Sequence, residues 1–251
     1  MSEIIQKLSN PPIVEAVLDI DCDMPPTLDW AALKESARNA YREYYPQFQT
    51  ISSGTIQIEG PPGGSQAHKT LRGVQSLQFF HEDRKQLVQV RSQGYSFNRL
   101  APYSALDDYL PEIERTWKLF VGIAGPKLIR TVRLSYINRI VLPVKDEKVL
   151  ISQYFKVSPQ LPDESDLIFT GFLNQHSAVE KSTGNQANIL LTTLPNDTDN
   201  LPVILDIGVI HREDKEVENW DWIAEKIQSL RNLKNRIFKN TLTDVCLSLF
   251  Q

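Results

Sequence analysis

Few of the residue types that most often announce chemistry are present: 251 residues contain only two cysteines and four histidines. Cys22 and Cys246 stand near opposite ends of the chain. Without C-x-x-C spacing they suggest neither a disulfide framework nor a thiolate zinc site, and they read as reduced thiols. His68, His81, His176 and His211 form no H-x-H or H-x-x-x-H pair, so no recognisable metal-ligand spacing exists. No apolar run approaches the roughly 18 residues that cross a bilayer. Met1 to Asn10 is polar and charged where a signal peptide needs an apolar stretch, so the expectation is a cytoplasmic protein with no membrane partner. A strong charge of either sign is also lacking. The net charge of −4 argues against a whole-molecule grip on nucleic acid or an anionic membrane.

The catalytic signatures are missing too. Gly63-Gly64-Ser65 runs on to His68-Lys69-Thr70, but no glycine precedes the lysine, so the phosphate-cradling pattern G-x-x-x-x-G-K-[ST] fails, as does G-x-G-x-x-G. No G-x-S-x-G elbow or kinase motif occurs. Pro162-Asp163-Glu164 opens like a nuclease motif, yet no acidic-x-Lys element follows at a suitable distance. His81 and His211 each stand at a strand end beside acidic residues and read as solvated turns rather than acid–base pairs. The expectation is that no cofactor, metal or catalytic set is present.

What the chain does contain is regular patterning, with 41% hydrophobic and 23% charged residues, an ordinary globular balance. From Ile13 to Ile20, Val14, Ala16, Leu18 and Ile20 share one face, while Glu15, Val17 and Asp19 share the other. A strand with one apolar and one mixed face fits a sheet covered by helices on one side. Thr27 reads as the N-cap of a helix from Leu28 to about Tyr45, with Tyr41 and Tyr44 on its core stripe. Strands follow at Ile51 to Glu59, Ser76 to His81 and Gln86 to Leu100, the last interrupted by Gly94 as at a bulge. Gly60 to Thr70 reads as a surface loop, with a lid over a ligand pocket as the lesser option. Ala105 to Ala124 is a long helix stopped by Gly125-Pro126.

A second pass then opens. Leu128 to Leu142 is a long strand whose apolar face includes Asn138, a residue that needs a buried partner or a bulge. Glu147 to Phe155 reads as a short helix, and strands follow near Asp166–Ser177, Gln186–Leu194 and Pro202–His211. Trp220 to Phe238 is the closing helix, with a last short one from Thr241 to Leu249, capped by Thr241. The predicted fold class is therefore α+β: a mostly antiparallel sheet with helices packed on one face. Halves 11–125 and 126–251 each spell β-α-β-β-β-α as a tandem duplication forming one continuous domain.

On the face away from the helices, the alternation gathers Glu15, Asp19, Gln78, Phe80, Gln89, Arg91, Arg133, Arg139 and Asp206. Glu15, Asp19, Arg91, Arg133 and Arg139 are the candidate binding residues. Three readings are open. The charges pair across neighbouring strands and serve folding; the face binds another protein or a second copy as a homodimer; or it holds single-stranded nucleic acid, a reading weakened by the interleaved acids.

The opening Leu8-Ser-Asn-Pro-Pro-Ile-Val-Glu-Ala-Val-Leu-Asp-Ile20 resembles the start of a sporadically distributed family of uncharacterised bacterial proteins of similar length. So do Leu134-Ser-Tyr-Ile-Asn-Arg139 and the closing Ile237-Phe238 and Leu242-Thr243-Asp244 segments. The resemblance brings no catalytic residues. Its patchy distribution implies an accessory role, such as a defence or toxin–antitoxin component. The function expected is a non-catalytic binding or interaction protein; the rival is an enzyme or small-ligand binder with a pocket under the Gly60–Thr70 loop.

Overall fold

Period-two alternation makes Ile13–Cys22 extended (β1), and it buries Ala16, Leu18, Ile20 and Cys22 on one side while Glu15, Val17, Asp19 and Asp21 stay partly accessible on the other. The computed structural model describes residues 8–56, 69–144, 149–157, 159, 170–195 and 200–251. Along them follow α1 (Trp30–Tyr41), β2 (Gln47–Ile56), β3 (Lys69–Phe80), β4 (Gln86–Arg91), β5 (Gly94–Leu100) and α2 (Leu106–Ala124). The second half supplies β6 (Leu128–Pro143), β7 (Leu173–Val179), β8 (Gln186–Thr193), β9 (Asn200–Glu216), α3 (Trp220–Thr241) and α4 (Asp244–Ser248).

The strands form one nine-stranded sheet in the order β2-β3-β4-β5-β1-β6-β9-β8-β7. Every neighbouring pair is antiparallel. The fold is thus α+β as the patterning predicts. β1 and β6, the opening strands of the two halves, pair at the centre with Leu18 opposite Leu134 and Asp19 opposite Arg133. Outward from them the order is β5, β4, β3 on one side and β9, β8, β7 on the other, with β2 added at one edge.

The helices lie on one face: α1 over β3, α2 over β5, and α3 over β6 and β9. Apolar stripes explain the docking. In α2, Leu106, Ile113, Trp117 and Phe120 are buried, and Trp117 Nε1 donates to Val217 O at 3.1 Å. In α3 the buried stripe is Ile223, Ile227 and Leu230. Gly125 closes α2 in the left-handed conformation at φ 56°, a position glycine adopts without strain.

Several boundaries differ from the sequence expectation. Gly94 is the end of a chain reversal, not a bulge: it pairs with Arg91, and its φ of 145° leaves β4 and β5 as separate strands. A Cβ there would lie 2.1 Å from Ile20 O, so only glycine fits. The first half therefore carries four strands after α1. Asp29, not Thr27, caps α1, with Oδ1 accepting from Ala31 N–H at 2.9 Å and Ala32 N–H at 3.2 Å. The helix ends at Tyr41, which leaves Tyr44 outside the stripe and 49% exposed. Thr243 caps α4, while Thr241 ends α3 and bonds back to Ile237 O. In place of a helix over Glu147 to Phe155, the described part is one 3-10 turn, Ile151–Gln153. The strand expected near Asp166 is seen from Leu173, and Pro162-Asp163-Glu164 lies outside the described residues. Asn138 has both features its burial demands. Its Nδ2 donates to Leu205 O at 2.9 Å, and β1 shifts register opposite it between Ile13 and Glu15.

Candidate functional site on the open sheet face

Strand parity places Glu15, Asp19, Arg91, Arg133 and Arg139 together on the face that carries no helix, as the sequence alternation predicts. The register then decides which of them meet. On the first half, amide side chains form a chain across five strands. Gln49 donates to Gln78, Gln78 to Gln89 at 2.8 Å, Gln89 to Asn98 at 3.0 Å, and Asn98 to Glu15 Oε1 at 2.8 Å. Each amide uses its NH2 toward the next strand and its carbonyl toward the previous one, ending on a carboxylate. Beside it, Arg91 donates to Asp21 at 2.7 Å and lies 3.6 Å from Asp19, which also accepts from Ser96. A shallow hollow of about 320 Å³ lies over Gln78, Gln89 and Arg91, whose amides and Nη2 bond to neighbours while Arg91 Nε is buried without a partner.

Across the centre the same face is built differently. A second hollow of about 290 Å³ lies over β6, β9, β8 and β7, lined by Arg133, Ser135, Asn188, Leu190, Asp206 and Gly208. Asp19 faces Arg133 in register, but its carboxylate is turned to Ser96 and Arg91. Arg133 makes no hydrogen bond or ion pair with any described residue, and its Nε is buried without a partner. Asp206 Oδ1 is likewise buried and unpartnered. Burial, and then the charge of Glu15, push the Asp206 carboxyl above the ordinary carboxylate value. Arg139 is exposed and has no ionic partner among the described residues. The cross-strand pairing expected of Arg133 and Arg139 is thus made by Arg91 instead. Gly208 floors the hollow: a Cβ there would meet Ser135 Oγ at 3.3 Å, and no side chain rises between the walls.

The other reactive residue types give no assembled chemistry among the described residues. Cys22 and Cys246 are free and buried, and burial pushes both thiols up to about 12, so neither is a nucleophile. His81 stands in an exposed turn against Asp83 at 3.0 Å, as expected. His211 is not a solvated turn. Its side chain is 13% exposed, with Nδ1 2.8 Å from Asn185 Oδ1 and Nε2 3.0 Å from Glu213, while Asn185 Nδ2 donates to Ser229 of α3. That network ties the β7–β8 turn to α3. No group of three His, Cys, Asp or Glu able to hold a metal occurs among the described residues. Likewise, no described helix is long and apolar enough to cross a membrane. The pocket expected under Gly60–Thr70 concerns residues that, apart from Lys69 and Thr70 at the start of β3, lie outside the described ones.

One residue that the motif search passes over is Lys234. It sits one helical turn beyond Leu230 on the buried stripe of α3, is 8% exposed, and holds Nζ 3.9 Å from the Tyr136 ring centroid. Burial, and then the charge of Arg231, pull its ammonium down to about 7. The signal was its spacing from Ile223, Ile227 and Leu230. No protein-family model and no curated protein matches the chain, so the site stands on its own geometry.

Proposed function

We propose that the chain is a non-catalytic binding protein that works through the second-half side of its open sheet face. The observation that carries this reading is on the second-half hollow, where Arg133 makes no hydrogen bond or ion pair with a described residue and Asp206 Oδ1 is buried without a partner; beside the first-half hollow Arg91 is held by Asp21 and Asp19, although its Nε is likewise unpartnered. Buried polar groups without a protein partner are uncommon and are satisfied by an ordered water, an ion or a bound molecule. The alternative of single-stranded nucleic acid is less well supported. Glu15, Asp19, Asp21 and Asp206 interleave with the arginines, and Phe80 on that face is covered by Arg84 at 5.1 Å rather than open for stacking. The family resemblance extends the reading to an accessory protein of a bacterial defence or toxin–antitoxin system, with another protein or a second copy as the partner.

The test is affinity capture and crosslinking from the native host with the wild type, Arg133→Glu on the open face, and Glu114→Lys on α2. A stoichiometric partner, or a self-association, retained by the α2 variant and lost with Arg133→Glu supports the proposal. A partner held equally by Arg133→Glu rejects the face. Salt-dependent capture of a single-stranded oligonucleotide would transfer the site to nucleic acid.

A further inference from the structure

Arg133 and Asp206 lie at opposite ends of the second-half hollow. Arg133 sits opposite Ile210, and Asp206 opposite Ile137. Arg133 and Ile137 are four residues apart on β6, which at roughly 3.4 Å per residue separates the two rows by about 14 Å. Midway lies the Ser135–Gly208 pair, where no side chain beyond a hydroxyl rises into the space. Beyond it, Asn188 and Leu190 of β8 form the far wall.

Each end has a distinct chemical demand. The Arg133 guanidinium lines the hollow and makes no hydrogen bond or ion pair with a described residue, and a planar guanidinium of this kind matches a carboxylate. At the other end Asp206 stands near Glu15, and two neighbouring carboxyl groups are relieved by a cation between or beside them. The acids exclude a polyanion and the arginine excludes a polycation. At about 290 Å³ the hollow is at the lower limit for ligand sites, too small for a dinucleotide.

We infer that the hollow binds a small zwitterion of about dipeptide length, its carboxylate on Arg133 and its ammonium at Asp206 and Glu15. Length follows from the geometry. Rows about 14 Å apart are too far for a single α-amino acid, whereas a two-residue chain of roughly 7 Å closes the distance together with the length of an arginine side chain. Asn188 is placed to hydrogen-bond the amide in the middle, and Leu190 gives an apolar wall. The inference rests on the open face being the binding face, and names the class of molecule it would hold.

Titration of the 15N-labelled full chain with glycylglycine, 5-aminovalerate, glycine, acetate and propylammonium, followed by amide shifts, tests it. Saturable shifts centred on Ser135, Asn188 and Gly208 are expected for the dipeptide and the ω-amino acid. Binding at least tenfold weaker is expected for glycine and for the two single-charge probes. Arg133→Gln and Asp206→Asn should each lose at least tenfold, Arg133→Lys less, and Gly208→Val, which fills the floor, should abolish the shifts while circular dichroism stays native. If Gly208→Val does not fold, Asp206→Asn and Arg133→Gln carry the test alone. Absence of saturable shifts with either zwitterion at millimolar concentration would overturn the inference. So would acetate binding as tightly as the dipeptide, or glycine doing so. Loss of the protein partner in Arg133→Glu alongside absent zwitterion binding would leave the face reading intact and remove only this one.

Discussion

The two sides of the open face share a topology and differ in how their polar groups are used. On the first side, β3, β4 and β5 contribute Gln78, Gln89 and Asn98, three amides whose length suits the strand spacing, so every carbonyl meets an NH2 until the chain ends on Glu15. On the second side the same kind of chain starts with Ser177 and Asn188 at 2.8 Å and stops, because the next position inward is Gly208. One missing side chain thus turns a closed polar surface into an open one. The helix layer repeats the contrast. Under α2, Tyr41 donates to Thr116 O at 2.9 Å and Tyr95 bonds Thr116 Oγ1 at 2.7 Å. Under α3 one buried polar group is Lys234, which packs on the Tyr136 ring and has no carboxylate partner among the described residues. The lesson is confined to the open face: Gln78, Gln89, Asn98 and Arg91 on the first side are bonded across strands, although Arg91 Nε is left unpartnered, whereas Arg133 on the second side bonds no described residue.

The largest test of that contrast is Lys234. Its folded value near 7 lies below the ordinary lysine value of 10.5, so between those values the unfolded chain binds more protons. Stability is accordingly lowest below pH 7 and rises as pH climbs toward 10.5. Because the buried thiols act in the opposite sense above their ordinary value of 9, the comparison belongs between pH 7 and 9. Lys234→Met should stabilise at pH 7 by on the order of 1–4 kcal/mol and flatten the pH dependence in that window, read by urea denaturation. A destabilised Met variant would mean that the ammonium is held by more than its contact with Tyr136.

Next in size is the amide chain. Asn98 is 6% exposed and bonds both Gln89 and Glu15, so Asn98→Ala strands a donor and a carboxylate. A cost of about 2–3 kcal/mol is expected in the same assay. Ser135→Ala, the adjoining residue in that register row on the second side, should change stability by less than about 0.5 kcal/mol. Equal costs would erase the distinction between the sides.

How much of this could be read in the sequence depends on the length scale of the cause. Period-two alternation is local, so the central strands and the membership of the open face were legible at Glu15, Asp19, Arg133 and Arg139. Gly94 was ambiguous because an isolated glycine in a strand pattern suits a bulge or a reversal equally, and the close approach of Ile20 O that decides between them comes from β1. Pairings were illegible for the same reason. Asp19 is opposite Arg133, yet Arg91 takes it from two strands away, and only the assembled register shows that. The amide chain joins residues 9 to 29 positions apart until its last step to Glu15, so no short motif encodes it. Lys234 was legible as a spacing and missed because lysines are usually found at the surface.

The smallest expected effect is the one that most sharpens the comparison. If Arg133 and Asp206 serve binding rather than folding, removing their charges should cost the fold little. Asp206 has its carboxyl held above the ordinary range, so the folded state keeps its proton longer than the unfolded chain. Stability from that group is present at low pH and is lost as pH rises through the folded value. Asp206→Asn should therefore be neutral to slightly stabilising near pH 7, by under about 1 kcal/mol given the partial exposure, with no loss of stability between pH 4 and 7. Arg133→Gln should lie within about 0.5 kcal/mol of the wild type. Thermal and urea unfolding of both across that range checks the pair. If either substitution costs as much as Asn98→Ala, Arg133 and Asp206 are structural after all, and the second side is a folding network like the first.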